Sequence, residues 1–224
     1  MSGEIPLALG LGFLLGLRHA ADADHVAAVA TLLRREQGVR GASLVGASWG
    51  LGHAGVLAAV GALLSLTGLT IPERFAKYAE LGVCAMLVVL GVVGLVRVRR
   101  DDPAKDHDHH HDHDHEHGEP HESAGSTVKS RLSAVAVGAV HGLAGSAGVA
   151  IIGATNARLL GPFAFLLIFG VGTIAGMALT TTALSVGLRR VADRSRRAYR
   201  TLLTVACALS AGLGVLIAAR ILRG

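Results

Sequence analysis

The octet Arg18-His19-Ala20-Ala21-Asp22-Ala23-Asp24-His25 lies inside an apolar stretch that extends from Ile5 to Leu33. An ionisable side chain at membrane depth is unfavourable unless it is paired, hydrated or bound to a metal. Imidazole and carboxylate groups are also ligands that suit divalent first-row transition metals. Five ionisable residues within eight positions therefore indicate a functional site, and their chemistry indicates a metal ion.

The rest of the chain has the composition of a membrane protein. Hydrophobic residues make up 51% of its 224 positions, and long apolar stretches recur along it. Stretches long enough to cross about 30 Å of hydrocarbon lie at about 5–33, 42–66, 76–98, 132–155, 161–188 and 200–221. The first is long enough to be kinked or tilted. A soluble helical bundle would need polar outer faces, which residues 81–96 lack, so the sequence predicts an all-α, polytopic membrane protein with about six spans.

Lysine and arginine are distributed unevenly between the predicted connections. The first, third and fifth connections contain fifteen of them, whereas the second and fourth connections together with the C-terminal end contain five. The positive-inside rule places the fifteen in the cytoplasm. We therefore expect a multi-pass protein of the cytoplasmic (inner) membrane with both termini outside. This topology accounts for the net charge of +5 without nucleic-acid binding, for which stacking aromatic residues are also missing.

The two halves of the chain share a weak internal repeat. Three pairs of segments match in order: Gly16-Leu17-Arg18-His19 with Gly138-Ala139-Val140-His141, Trp49-Gly50-Leu51-Gly52-His53 with Phe169-Gly170-Val171-Gly172-Thr173, and Cys84 and Gly91 with Cys207 and Gly214. Because each half has three predicted spans, an odd number, the halves would be inverted across the membrane, as in many transporters. The predicted organisation is two three-helix membrane halves, 1–100 and 131–224, joined by a segment at 101–130.

Eight of the twelve histidines lie in that joining segment, between Asp106 and Glu122. They are His107, His109, His110, His111, His113, His115, His117 and His121. They alternate with acidic residues in a composition that cannot form a core, so we expect a solvated cytoplasmic loop. The density of imidazole and carboxylate groups predicts an accessory metal-binding loop, a buffer or sensor rather than the transport site. A plain flexible linker is the alternative.

The candidate metal ligands within the predicted spans are His19, Asp22, Asp24, His25, His53 and His141. On a regular helix His19, Asp22 and His25 share one face while Asp24 points away, so either Asp24 serves another face or the helix unwinds there. For Asp22 the alternative is an ion pair with Arg18, four residues before it. For His53 and His141 the alternative is a hydrogen bond between helices.

The octet, with its His19-x4-Asp24-His25 spacing, resembles the signature of the NiCoT nickel/cobalt transporter family. The segment Trp49-Gly50-Leu51-Gly52-His53 is similar to the second Gly-His motif of that family. The resemblance covers the first half well, and the chain looks like the shorter nickel-transport and urease-accessory relatives. It implies that His19, Asp24 and His25 bind the permeating ion and that His53 contributes.

These patterns predict a secondary transporter that moves Ni²⁺, with Co²⁺ as a second candidate, most naturally by uptake. The chain has no Walker motif for nucleotide binding, and we expect neither an enzyme nor a resident cofactor. Its expected partners are the divalent ion and the lipid bilayer, with metallochaperones or urease and hydrogenase maturation proteins as candidates. The alternatives are a metal efflux exporter and a metal-handling accessory membrane protein. An intramembrane metalloprotease would need a His-Glu-x-x-His pair, which the octet lacks.

Overall fold

The structure, a computed structural model, describes residues 4–33, 38–67, 69, 71–100, 124–155 and 157–223. Seven helices occur within these residues: α1 (Glu4–His19), α2 (Ala23–Leu32), α3 (Val39–Thr67), α4 (Glu73–Arg100), α5 (Ala124–Thr155), α6 (Ala157–Arg194) and α7 (Arg196–Arg223). No strand occurs in the described part of the chain. The predicted all-α fold is confirmed there.

Four stretches of the described helices are long and apolar enough to cross a membrane: Val39–Leu64, Glu73–Arg100, Ala164–Arg194 and Arg196–Arg223. Helix α2 is apolar but shorter. The total of six spans therefore stays a prediction. The connection predicted between the spans at about 161–188 and 200–221 is shorter than expected, because α6 continues to Arg194 and α7 begins at Arg196. Most of the arginines assigned to that connection lie on helix ends.

The first predicted span is divided into two helices at residues 20–22. The last turn of α1 tightens, with backbone hydrogen bonds from Ala21 N to Arg18 O (2.9 Å) and from Asp22 N to His19 O (3.1 Å). Asp22 then takes an extended conformation, with φ −61° and ψ 149°, at the N-cap position of α2. Aspartate is favoured at N-caps and in the first turn of a helix, and Asp24 occupies that turn. The Asp22 side chain makes no capping hydrogen bond, so the two acidic residues favour the start of α2 through the helix dipole.

The helices of the first half pack mainly against those of the second half. Helix α3 lies between α5 and α6, α1 packs against α6, and α4 packs against α7. The short helix α2 contacts α7 and also α4. The end of α1, the start of α2 and the middle of α3 therefore meet α5 and α6 in the interior.

Glycines permit several of these helices to cross at close range. The glycines at four-residue spacing, Gly12/Gly16, Gly46/Gly50, Gly138/Gly142 and Gly172/Gly176, all face atoms of another helix. A Cβ atom at Gly138 would meet the backbone carbonyl of Trp49, and one at Gly142 would lie 2.5 Å from the carbonyl oxygen of His53. These contacts give the glycines a role in helix packing. The α3–α5 crossing brings the His53 and His141 segments together.

Candidate metal centre

Four histidines from four different helices converge in the interior of the bundle. His19 ends α1, His25 is near the start of α2, His53 lies on α3 and His141 lies on α5. The ring centroid of His25 lies 4.6 Å from that of His19, 5.4 Å from that of His53 and 4.1 Å from that of His141. Residues separated by more than a hundred positions in sequence thus form one cluster with the octet.

Three of these rings are removed from solvent. The exposed fractions are 1% for His25, 0% for His53 and 3% for His141. A buried polar group without a hydrogen-bond partner is destabilising by about 1–3 kcal/mol. The cluster therefore destabilises the folded protein unless a ligand binds to these rings.

Asp24 joins this cluster through both oxygens of its carboxylate. Its Oδ1 lies 3.2 Å from Nδ1 of His25, and its Oδ2 lies 2.8 Å from Nε2 of His141. The sequence left two alternatives for Asp24, a regular helix with Asp24 on another face and a helix that unwinds there, and the structure shows the second. The break at residues 20–22 changes the direction in which α2 presents its first turn.

Asp22 lies at the margin of the cluster rather than within it. Its side chain is 52% exposed, and its Oδ2 accepts a hydrogen bond from Nδ1 of His19 at 2.9 Å. Among the described residues it forms no ion pair with Arg18, whose side chain is exposed. The alternative pairing of Arg18 with Asp22 is therefore absent there. Instead, Asp22 orients the His19 ring, as carboxylates commonly do for metal-binding histidines.

Several nitrogen atoms of the cluster are buried without a hydrogen-bond partner in the described part of the chain. They are Nε2 of His19, Nε2 of His25, Nδ1 of His141 and both ring nitrogens of His53. Most buried polar atoms in proteins are hydrogen bonded. Neutral imidazole nitrogens are also common metal ligands. So many unpartnered nitrogens in one place are typical of a site that binds a cation.

The ligand atoms of the described residues form two groups of three atoms that lie close to one another. Either group could hold a metal ion. In one group His19, His25 and His53 each offer an atom within 4.8 Å of the others. In the other, Asp24, His25 and His141 do the same. The negative end of the α1 dipole at His19 adds a favourable field for a cation.

Two aromatic residues of the cluster were not predicted as site residues. The ring of Trp49 lies 5.5 Å from that of His25, and its buried indole nitrogen has no partner among the described residues. The ring of Phe169 lies 5.5 Å from that of His19. The internal repeat aligns Trp49 with Phe169 and could have indicated that both lie near the site. Aromatic residues in apolar spans, however, are usually packing residues.

The eight histidines predicted to form an accessory metal loop, from His107 to His121, lie outside the described residues. The interior cluster contains all four remaining histidines of the chain.

Comparison with protein families decides the class of the chain. The NicO family, described as high-affinity nickel-transport protein, matches residues 7–223. The chain belongs to the NicO family. The resemblance to nickel/cobalt transporters is thus confirmed as membership of a nickel-transport family. Because NicO proteins are transport proteins, the chain is not an enzyme, and the metalloprotease alternative is excluded.

Two curated relatives of this NicO protein carry related names. The urease accessory protein UreH of Bacillus sp. (strain TB-90) is 29% identical over 179 residues, which cover 80% of this chain and 76% of that protein. The high-affinity nickel transport protein of Cupriavidus necator is 37% identical over 81 residues, which cover 34% of this chain and 23% of that protein. No solved structure gives a significant match.

Proposed function

We propose that this NicO protein is a secondary transporter that moves Ni²⁺, and also Co²⁺, into the cytoplasm through the buried cluster of four histidines and Asp24. The observation that carries the proposal is the convergence of unpartnered ring nitrogens from four helices. Imidazole and carboxylate ligands without thiolate suit Ni²⁺ and Co²⁺ and disfavour Cu⁺. Family membership supports nickel as the cargo.

The membrane potential supplies a sufficient driving force for uptake. A divalent cation that enters a negative interior gains about 4.6 kcal/mol per 100 mV, twice the value for a single charge. Broken helices are a recurrent feature of ion sites in secondary transporters, where they line the site near the middle of the membrane. The break between α1 and α2, directly beside His19 and Asp24, supports this reading.

We further propose that α1 with α2, α3 and α4 form one three-span half and that α5, α6 and α7 form its inverted counterpart. Equivalent glycines make equivalent contacts. A Cβ at Gly16 would meet the carbonyl of Phe169, and one at Gly138 would meet that of Trp49. Likewise, Gly91 faces the carbonyl of Cys207, and Gly214 faces that of Cys84. The distribution of basic residues agrees with six spans. Both termini would then lie on the non-cytoplasmic side of the inner membrane, and segment 101–130 would lie in the cytoplasm.

The name of the Bacillus relative supports a link to urease maturation. Since the family is described as nickel-transport protein, we propose that a nickel-delivery partner receives the ion on the cytoplasmic side. An efflux exporter remains the second candidate for direction. The direction of transport can be tested by measuring radioactive nickel, cobalt and zinc in cells that carry or lack the protein. Uptake predicts that nickel accumulation rises with the protein, whereas lower accumulation would identify an exporter.

The hydrogen bond between Asp22 and His19 leads to a testable prediction. Because Asp22 fixes the orientation of His19 rather than neutralising Arg18, Asp22→Ala should weaken nickel binding by about 10–100-fold. The double variant Arg18→Ala/Asp22→Ala should bind as weakly as Asp22→Ala alone. Isothermal titration of nickel into both purified variants measures the two affinities. Recovery of affinity in the double variant would show that Asp22 pairs with Arg18.

The histidine-rich segment leads to a second prediction. Replacement of its eight histidines by glutamine should lower the number of nickel ions bound per protein and leave the tightest site unchanged. The reason is that a solvated loop offers weak, exchangeable coordination, whereas a buried site with a carboxylate strongly favours a bound cation. Equilibrium dialysis with radioactive nickel measures number and affinity together. Loss of the tightest site in this variant would place the functional centre in the loop.

A further inference from the structure

Building on the proposed function, we infer that the cluster gives a single ion two alternative three-ligand positions that share His25, rather than one five-ligand site. The first position uses Asp24, His25 and His141. The second uses His19, His25 and His53. Each triad closes within 4.8 Å, and the two sets meet only at His25 among the described residues.

The geometry of His25 suits it as the shared ligand. Its ring is 1% exposed and lies nearer to His19 and His141 than His53 lies to either of those rings. Its Nδ1 faces Asp24 at 3.2 Å, while its Nε2 has no partner among the described residues. The two ring nitrogens point away from each other, so Nδ1 would serve the first position and Nε2 the second. An ion that moves between the positions releases one nitrogen of His25 before it binds the other.

The two positions differ in charge. The first contains the Asp24 carboxylate, and there a metal ion would take the place of the hydrogen bonds that join Asp24 to His25 and His141. The second consists of three imidazoles and no carboxylate. A carboxylate attracts an incoming cation most strongly, whereas a neutral triad holds it less tightly. The first position is thus the capture position and the second is the release position.

Only one ion occupies the cluster at a time. Two divalent cations a few ångströms apart repel strongly in a medium of low dielectric constant, and both positions require the same ring. Transport then consists of a transfer across His25. Removal of His53 or of His141 should leave one position intact but interrupt that transfer.

The test uses Co²⁺ as a spectroscopic probe in the full chain with the eight histidines from His107 to His121 replaced by glutamine. His53→Gln and His141→Gln should each still bind one Co²⁺ per protein. Their visible absorption spectra should differ from each other, because one ligand set contains a carboxylate and the other does not. Both should transport at least tenfold more slowly than the parent. His25→Gln should bind no Co²⁺ tightly.

Several outcomes would overturn the inference. If His53→Gln and His141→Gln both lose Co²⁺ as fully as His25→Gln, while the thermal unfolding midpoints match the parent, the cluster is a single site. If both keep the parent spectrum, neither residue is a ligand. If either variant transports at the parent rate, no transfer between two positions occurs. Failure of the proposed function looks different, since the parent protein itself would then neither bind nor transport the ion.

Discussion

His25→Ala is expected to abolish both tight nickel binding and nickel accumulation in cells. His25 is the one residue common to the two groups of candidate ligands, so its loss leaves neither group with three donors. We expect a fall in affinity of at least a thousandfold, about 4 kcal/mol at 1.36 kcal/mol per factor of ten. Radioactive nickel binding to the purified protein and accumulation in intact cells measure the two effects.

Val29→Ala is the matched control for this variant. Val29 lies on the same short helix α2, is 2% exposed and belongs to the apolar core. It has no metal-binding group, so its truncation should lower stability by about 1–3 kcal/mol, twice the cost of removing one buried methylene, and leave nickel affinity unchanged. If His25→Ala reached the membrane in normal amounts and accumulated nickel normally, the assignment of His25 as a ligand would be wrong.

Gly52→Ala is expected to separate α3 from α5 and thereby dismantle the cluster. A Cβ at this position would meet the backbone carbonyl of Val135, which cannot move without displacing α5. Overpacking of this kind costs about 1–3 kcal/mol or more. Since His53 and His141 lie on the two displaced helices, we expect both a lower thermal unfolding midpoint and weaker nickel binding by at least tenfold.

Gly55→Ala provides the comparison on the same helix. Nothing lies within 4 Å of a Cβ built at Gly55, so this substitution should leave the nickel affinity at the value of the parent. The unfolding midpoint should equal or exceed that of the parent, because alanine is the better helix former. Thermal unfolding in detergent, followed by nickel titration, compares the two variants. Equal behaviour of Gly52→Ala and Gly55→Ala would contradict the close crossing of α3 and α5.

The residue types of the centre could be predicted from sequence because charged groups stand out in an apolar stretch. His19, Asp24 and His25 were selected for that reason and by the family resemblance. The sequence left two orientations open for Asp24, because no glycine or proline marks the break at residues 20–22. The interrupted helix of the structure turns Asp24 toward His25 and His141.

The contribution of the second half was harder to predict. His141 is a single histidine in a segment rich in alanine and glycine, and only the crossing of α3 and α5 places it beside His25 and Asp24. The length of the last connection was also harder to predict. Arginines at 189–200 suggested a connection, yet arginine is a good helix former and favours the C-terminal end of a helix. Here α6 continues to Arg194.

The most direct test of the central claim is nickel flux into proteoliposomes that contain the purified chain with its eight segment histidines replaced by glutamine. Under an inside-negative potential of about 100 mV, a transporter driven by charge should accumulate Ni²⁺ by up to three orders of magnitude. We predict potential-dependent accumulation with this protein and none with its His25→Ala derivative. Flux no greater than that of empty liposomes, or equal flux in the two proteins, would contradict transport through the buried histidine and aspartate cluster.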